Sequence, residues 1–240
     1  MSVVVIPARM ASARLPGKML SDIDGIPLIV HVMRRASQAQ RVSRVIVASS
    51  DDEIIDVVRE FGGETVKTSG GHCTGTDRVA EVAEGLDQDV SCIINVQGDN
   101  LDLEPSTLDG VAQMLEESSA AVVTPITPFP DDWDVTDPSK VKVVVSDDGR
   151  ALYFSRQPVP TSGPWWLHVG VYGFKRETLL MFGQWGQGKL EKSEGLEQLR
   201  LLEHGIAIDT LQVERGARSI DTPCDLAAAR SLYSSSHLRH

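Results

Sequence analysis

Short apolar runs rich in β-branched residues recur along the first half of the chain. They fall at residues 3–6 (VVVI), 45–48 (VIVA), 92–96 (CIINV) and 120–124 (AAVVT), with apolar residues at helical spacing between them. Strands alternating with helices predict a parallel sheet wrapped by helices. A first helix is predicted over 27–39, with Leu28, Ile29, Val32 and Met33 on one side and Arg34 and Arg35 towards its end. A second is predicted from Ser50, because Ser50 and Glu53 have the spacing of a capping box.

Beyond Thr124 the pattern changes. Strand-like runs follow one another at 141–145, 151–154 and 168–174, separated by turn material such as SDDG, and adjacent strands without helices predict an antiparallel excursion. Helices are predicted over 177–182 and 194–204, a strand over 207–213, and a last helix from about Thr222. The tail SSSHLRH is polar and reads as a frayed end. No internal repeat or low-complexity segment interrupts the chain.

Composition narrows the class. The 240 residues suit one α/β domain over 1–240, with a small antiparallel lobe at about 125–175. With 41% hydrophobic residues and no long apolar run, the chain is expected to be a soluble globular protein rather than a membrane protein. The amino terminus enters a strand directly, without signal-peptide features, so the cytoplasm is the expected compartment. Cys73, Cys92 and Cys224 show no CxxC or zinc-ligand spacing, and neither a disulfide framework nor a zinc site is expected. The formal net charge of −11 would repel a polyanion, which excludes nucleic acid as the main partner and puts the weight on local cations.

Those cations follow the first strand. VVVIPARMASARLPGKML places Arg9, Arg14 and Lys18 among the small residues Ala8, Ala11, Ser12, Ala13 and Gly17. In an open parallel sheet this loop is a preferred phosphate site: small residues let backbone N–H groups approach, and the cations neutralise the phosphates. The alternative is a solvated turn whose cations pair with surface carboxylates. The spacing matches neither a Walker A loop nor a GxGxxG fingerprint.

Two further segments carry candidate chemistry. HCTGTDR, residues 72–78, is a polar loop before a helix that Thr74 or Thr76 would cap; it can present hydroxyls to a nucleotide or be a plain helix start. IINVQGDN ends a buried strand at Gln97, Gly98 and Asp99. A carboxylate there can hold magnesium bridging phosphates, or can cap a helix. Asp221 in SIDTPCDL supplies a second acid between a strand-like stretch and a helix.

Taken together, VVVIPARMASARLPGKML, HCTGTDR, NVQGD, VKVVVSDDGRALYFSR, HVGVYGF, LEKSEGLEQLR and IDTPCDL occur in the order, and with nearly the spacing, of one family. Over about 3–226 the chain resembles the CMP-Kdo synthetase family, the 3-deoxy-manno-octulosonate cytidylyltransferases. The resemblance implies a nucleotide-diphospho-sugar transferase-like α/β fold: a mostly parallel central sheet flanked by helices, with a small antiparallel lobe used for homodimerisation. It implies activation of an acidic eight-carbon sugar, Kdo, with CTP, releasing pyrophosphate and giving a CMP-sugar for lipopolysaccharide or capsule assembly.

By the same resemblance Arg9, Arg14 and Lys18 would hold the CTP phosphates, with Lys18, Arg14 and Asp99 acting at the reacting phosphate. Ala8, Thr74, Gly75 and Gln97 would surround the cytidine, Thr74 standing where the family usually has serine. Asp99 and Asp221 would bind Mg2+, and Arg156, His168, Glu197 and Gln198 would contact the sugar.

The chain departs from the family in two places. Asn100 and Leu101 replace the acid and proline of QGDEP, with Asp102 and Glu104 nearby as compensating charges. Between YFSR and HVGVYGF only QPVPTSGPWWL intervenes, where the family usually has a longer charged loop. Trp165 and Trp166 therefore either narrow the sugar pocket or pack within the lobe or a dimer contact. Two competing functions stay open: a cytidylyltransferase for another ulosonic or sialic-type sugar, and a catalytically silent nucleotide-binding homologue.

Overall fold

The structure is a computed structural model that describes residues 1–12 and 14–236; Ala13 of the opening loop and the last four residues of the SSSHLRH tail lie outside it. The first half runs β1 (Ser2–Ala8), a 3₁₀ turn at Lys18–Leu20, the short hairpin β2 (Asp22–Ile23) and β3 (Ile26–Pro27), then α1 (Leu28–Ala36), β4 (Val42–Ser49), α2 (Asp52–Glu60), β5 (Glu64–Lys67), α3 (Gly75–Glu84), β6 (Cys92–Val96), α4 (Pro105–Glu117) and β7 (Val122–Pro128). The second half runs β8 (Lys142–Val145), β9 (Arg150–Ser155), β10 (Trp166–His168), β11 (Val171–Lys175), α5 (Arg176–Gln184), α6 (Lys189–Glu194), α7 (Leu199–Glu203), β12 (Ile208–Gln212) and α8 (Pro223–Ser236).

From one edge the main sheet is ordered β5-β4-β1-β6-β11-β7-β12-β9-β8-β10. The first four strands are parallel, β11 runs antiparallel between β6 and β7, and β12 is parallel to β7. Alternation along β1 divides the core. Val4 and Ile6 pack with residues of α1 and α4, whereas Val3 and Val5 pack with residues of α3 and α5. A strand buried on both faces reads as a continuous apolar run, and for that reason VVVI is legible as a central strand.

The antiparallel excursion is present in β8, β9 and β10, and it folds back onto the main sheet. β7 pairs with β12, β12 with β9, β9 with β8, β8 with β10, and β10 again with β7, so the pairings run round a closed circuit. The predicted strand over 168–174 is two strands. β10 belongs to the circuit, while β11 lies inside the central sheet. The chain breaks between them because the Gly170 carbonyl is turned towards the end of β6, where it accepts from Gln97 N at 3.4 Å and Asn100 Nδ2 at 2.8 Å.

Two other expectations are corrected. The Ser50–Glu53 capping box does not form: Asp51 is still extended (φ −94°, ψ 116°), and α2 begins at Asp52 without a side-chain cap. The Asp51 carboxylate is instead taken by Met10 N at 2.7 Å, which ties the start of α2 to the opening loop. The helix predicted over 194–204 is interrupted at Gly195, whose φ of 64° ends α6 in a left-handed turn, and α7 starts only at Leu199.

Candidate active site

At its end β1 releases the chain into the cationic loop. Gly17 N closes that loop on Met10 O at 3.1 Å, and the left-handed φ of 71° at Gly17 favours glycine there. Arg9 and Arg14 are exposed, but Lys18 is only 7% exposed. A buried ammonium needs partners, and two distant acids supply them.

Lys18 Nζ donates to Asp99 Oδ2 at 2.6 Å and to Asp221 Oδ1 at 3.2 Å, and Arg14 Nη2 donates to the same Asp221 oxygen at 2.9 Å. Asp99 stands just beyond β6 and Asp221 just before α8. Their segments are joined through the backbone, where Ile220 N donates to Asp99 O at 3.1 Å. Burial pushes the Asp221 carboxyl up, but the Lys18 and Arg14 cations more than reverse this and hold it below the usual aspartate range. The donor set fits Mg2+: two carboxylates from distant segments converge on one cation, and Mg2+ is commonly held by one or two carboxylates with phosphates and water completing the shell.

A cavity of about 320 Å³ opens over this arrangement, lined by Ala8, Arg9, Arg14, Lys18, Thr74, Gly75, Gln97, Asp99 and Asp221. Every residue assigned from the sequence to the nucleotide, its phosphates or the metal therefore faces one space. The α3 side of the wall is fixed by a capping box, in which Asp77 N donates to Thr74 Oγ1 at 3.2 Å and Thr74 N donates to Asp77 Oδ2 at 3.0 Å. Arg78 lines the same cavity and was not assigned from the sequence. It is buried, it donates to Thr68 Oγ1, and burial together with the nearby charge of Arg9 lowers its pKa. The only sequence signal for it is an arginine one turn into a helix that opens on a polar loop.

A second cavity, about 1160 Å³, adjoins the first and shares Arg14, Gln97, Asp99 and Asp221 with it. Arg156 and His168 line this larger space; Glu197 and Gln198 line neither cavity. Glu197 is placed behind the nucleotide wall, accepting from Thr76 N at 3.1 Å and Gln97 Nε2 at 3.2 Å. Loss of hydration raises its pKa, and the Thr76 contacts offset part of the rise. Gln198 is buried, and its Nε2 has no hydrogen-bond partner among the described residues.

Arg156 is held by three carbonyls: Glu194 O at 2.9 Å, Pro138 O at 2.8 Å and Gly195 O at 3.1 Å. That leaves two of the five guanidinium N–H groups. Thr124 Oγ1 donates to Val171 O at 2.8 Å, so it must accept from His168 Nε2 at 3.1 Å, and His168 Nδ1 is left as an acceptor. Burial lowers the His168 pKa to about 3, and the ring is neutral.

Neither Trp165 nor Trp166 lines the large cavity. Trp165 Nε1 donates to Pro160 O at 2.8 Å, and Trp166 packs against the core on the α3 side of the sheet, so the indoles stabilise the excursion and do not narrow the pocket. The acidic loop TPFPDDWDVTDP contributes Phe129, Pro130, Asp131 and Trp133 to the cavity wall. Asn100 and Leu101 are both buried, and Leu101 packs in the core.

An α/β sheet that gathers a cationic loop and two strand-end carboxylates around one cavity, with a second cavity opening onto the same acids, defines a nucleotidyltransferase. The cytidylyltransferase family profile matches residues 3–208. The chain is 44% identical over 238 residues to the 3-deoxy-manno-octulosonate cytidylyltransferase of Paramagnetospirillum magneticum, covering 96% of each chain. It is 43% identical over 237 residues to the protein of the same name from Myxococcus xanthus, again covering 96% of each. A solved CMP:2-keto-3-deoxy-manno-octonic acid synthetase in complex with CTP superposes with a TM-score of 0.91 at 38% identity, covering 98% of this chain and 99% of that one. The chain belongs to the 3-deoxy-manno-octulosonate cytidylyltransferase family.

Proposed function

We propose that the protein is a single-domain enzyme that transfers CMP from CTP to the anomeric hydroxyl of Kdo and releases pyrophosphate, supplying CMP-Kdo for lipopolysaccharide or capsule assembly. One observation carries the reading: two cavities of different size meet at Asp99 and Asp221, with Lys18 between the two acids. The smaller one has the cationic floor a triphosphate needs. The larger one opens onto the same acids, where the acceptor must lie for in-line attack.

In this mechanism Arg9, Arg14 and Lys18 hold the triphosphate, and Ala8, Thr74, Gly75 and Gln97 surround the cytidine. The anomeric oxygen forms a bond to the α-phosphorus as the bond from that phosphorus to the bridging oxygen breaks; pyrophosphate leaves and the hydroxyl proton is lost to water. Asp99 and Asp221 are the residues that would hold Mg2+, which when bound supplies neutralising charge for the phosphates. The Lys18 ammonium and Arg14 guanidinium compensate charge on the transferring group and on the leaving pyrophosphate.

On the sugar side, the two uncommitted N–H groups of Arg156 suit a carboxylate, and Nδ1 of neutral His168 accepts from a sugar hydroxyl. Glu197 acts through Gln97, whose amide it orients, and the Gln198 amide nitrogen keeps both of its N–H donors unpaired among the described residues. The antiparallel circuit is the proposed homodimer contact, where Leu152 of β9 is 59% exposed, and the proposed compartment is the cytoplasm. Among the described residues no helix is long and apolar enough to cross a membrane.

The test is pyrophosphate release from CTP and Mg2+ with Kdo, beside a panel of other ulosonic and sialic-type acids. Release with Kdo as the best acceptor is the expected result. Preference for another acid transfers the assignment to that sugar, and CTP binding without release for any acceptor overturns the enzymatic reading.

A further inference from the structure

The wall of the nucleotide cavity is braced from behind by an ion network that the mechanism does not use. Arg200, at the start of α7, is 1% exposed. Its Nη1 donates to Asp77 Oδ1 at 2.6 Å, and Nε and Nη2 donate to Glu191 at 2.8 and 2.7 Å. Nη1 also reaches Trp185 O at 3.2 Å, and the guanidinium lies 4.1 Å from the centre of the Phe182 ring. Glu191 is itself buried, so the pair is fixed in one geometry.

Asp77 is the carboxylate that receives Thr74 N at 3.0 Å and Thr74 Oγ1 at 2.8 Å, and Thr74 and Gly75 line the cavity. The chain of contact runs from Glu191 through Arg200 and Asp77 to the loop facing the nucleotide. A capping aspartate held only by its own helix can change rotamer; one gripped by a buried guanidinium cannot do so without breaking an ion pair. The Arg156 contacts run through Glu194 and Gly195 and share no atom with this brace.

Resting on the nucleotide assignment above, we propose that Arg200 is a positioning residue for the CTP side of the reaction: through Asp77 it fixes the Thr74–Gly75 wall, and it does not contact substrate. Lysine can replace the charge of Arg200 but not its fork, and asparagine can replace the shape of Asp77 but not its charge.

The experiment compares Arg200→Lys, Asp77→Asn and the double variant with the unaltered protein. It measures the Kd of CTP in Mg2+ by calorimetry, the KM of CTP and of Kdo in pyrophosphate release, and the melting temperature. Each single variant is expected to raise the Kd and KM for CTP roughly tenfold, with the KM for Kdo within about twofold of the original. The double variant should be no worse than the weaker single one, because both break one contact. A folded Arg200→Lys protein with unchanged CTP affinity, or with both KM values raised equally, overturns the proposal and makes the brace purely structural. If Arg200→Lys does not fold, Asp77→Asn decides alone by the same criterion. An unaltered protein that fails to bind CTP sinks the nucleotide assignment and this proposal with it, whereas normal binding with unaffected variants sinks the proposal only.

Discussion

The Lys18 ammonium stands 2.6 Å from the carboxylate of Asp99, a residue 81 positions further along the chain, and both side chains face the smaller cavity. That one pair is neutral as a unit, the remaining cations of the loop leave the cavity positive, and the ammonium occupies a position between two acids that suits a cation. Removing the acid changes the two events of catalysis unequally. Asp99→Ala takes away a carboxylate that would repel bare triphosphate, so CTP affinity should change by less than about tenfold. Turnover should fall by about a thousandfold, because the carboxylate proposed to hold neutralising charge for the reacting phosphates would be gone. Calorimetric CTP binding beside single-turnover rates checks this, and unchanged turnover would remove Asp99 from the metal assignment.

The proposed Mg2+ assignment to the same two carboxylates makes activity metal-dependent in a testable way. Treatment with EDTA should abolish pyrophosphate release, Mg2+ should restore it, and Asp221→Ala should raise the Mg2+ concentration needed for half-maximal rate by about tenfold. Activity that survives thorough chelation would contradict the assignment of Asp99 and Asp221.

Parts of this site were legible in the sequence because their cause is local. A run of four apolar residues followed by small residues and cations reads as a buried strand and a phosphate loop, and Asp99 announces itself as an acid at a strand end. What escaped has distant causes. The break between β10 and β11 is set by Asn100, 70 residues from the Gly170 carbonyl it holds. Edge strand β5 is four residues long and has no buried residue, so it gives no hydrophobic signature. Glu197 lies in a segment that reads as an ordinary helix face; only the tertiary structure turns its carboxylate onto Thr76 and Gln97. The capping acid Asp77 and its buried partner Arg200 are 123 residues apart, a pairing that no local pattern encodes.

Asn100 is 4% exposed, and its Nδ2 donates to Gly170 O at 2.8 Å. Asn100→Asp would exchange that donor for a carboxylate oxygen facing a carbonyl oxygen, beside Asp99. Losing the hydrogen bond and leaving a buried charge without a partner should cost about 2–3 kcal/mol, a fall in melting temperature of roughly 4–12 °C for a chain of this size. Asn100→Ser, which introduces no charge, should cost less. Equal melting temperatures for the two variants would mean that charge plays no part at this position.

His168 makes stability depend on pH in a direction opposite to that expected of a histidine with an acidic partner. Its folded pKa is lowered to about 3 by burial, whereas in the unfolded chain it is about 6.5. Between those values the unfolded chain binds a proton that the native ring refuses. Stability therefore rises with pH across this window and is lost as pH falls from about 6.5 towards 3, at up to about 1.4 kcal/mol per pH unit. His168→Gln does not titrate. At pH 7 it should be less stable than the unaltered protein, because it forfeits ring contacts with Phe154 and Tyr172, whose centroids lie 5.4 and 5.1 Å from the imidazole. Denaturant titrations at pH 7, 6 and 5 should show the gap between the two proteins closing as the pH drops, since titrating carboxylates common to both cancel in the difference. A gap that stays constant from pH 7 to 5 would mean that the native imidazole takes up a proton as readily as the unfolded one, and His168 Nδ1 could not then serve as a neutral acceptor for the sugar.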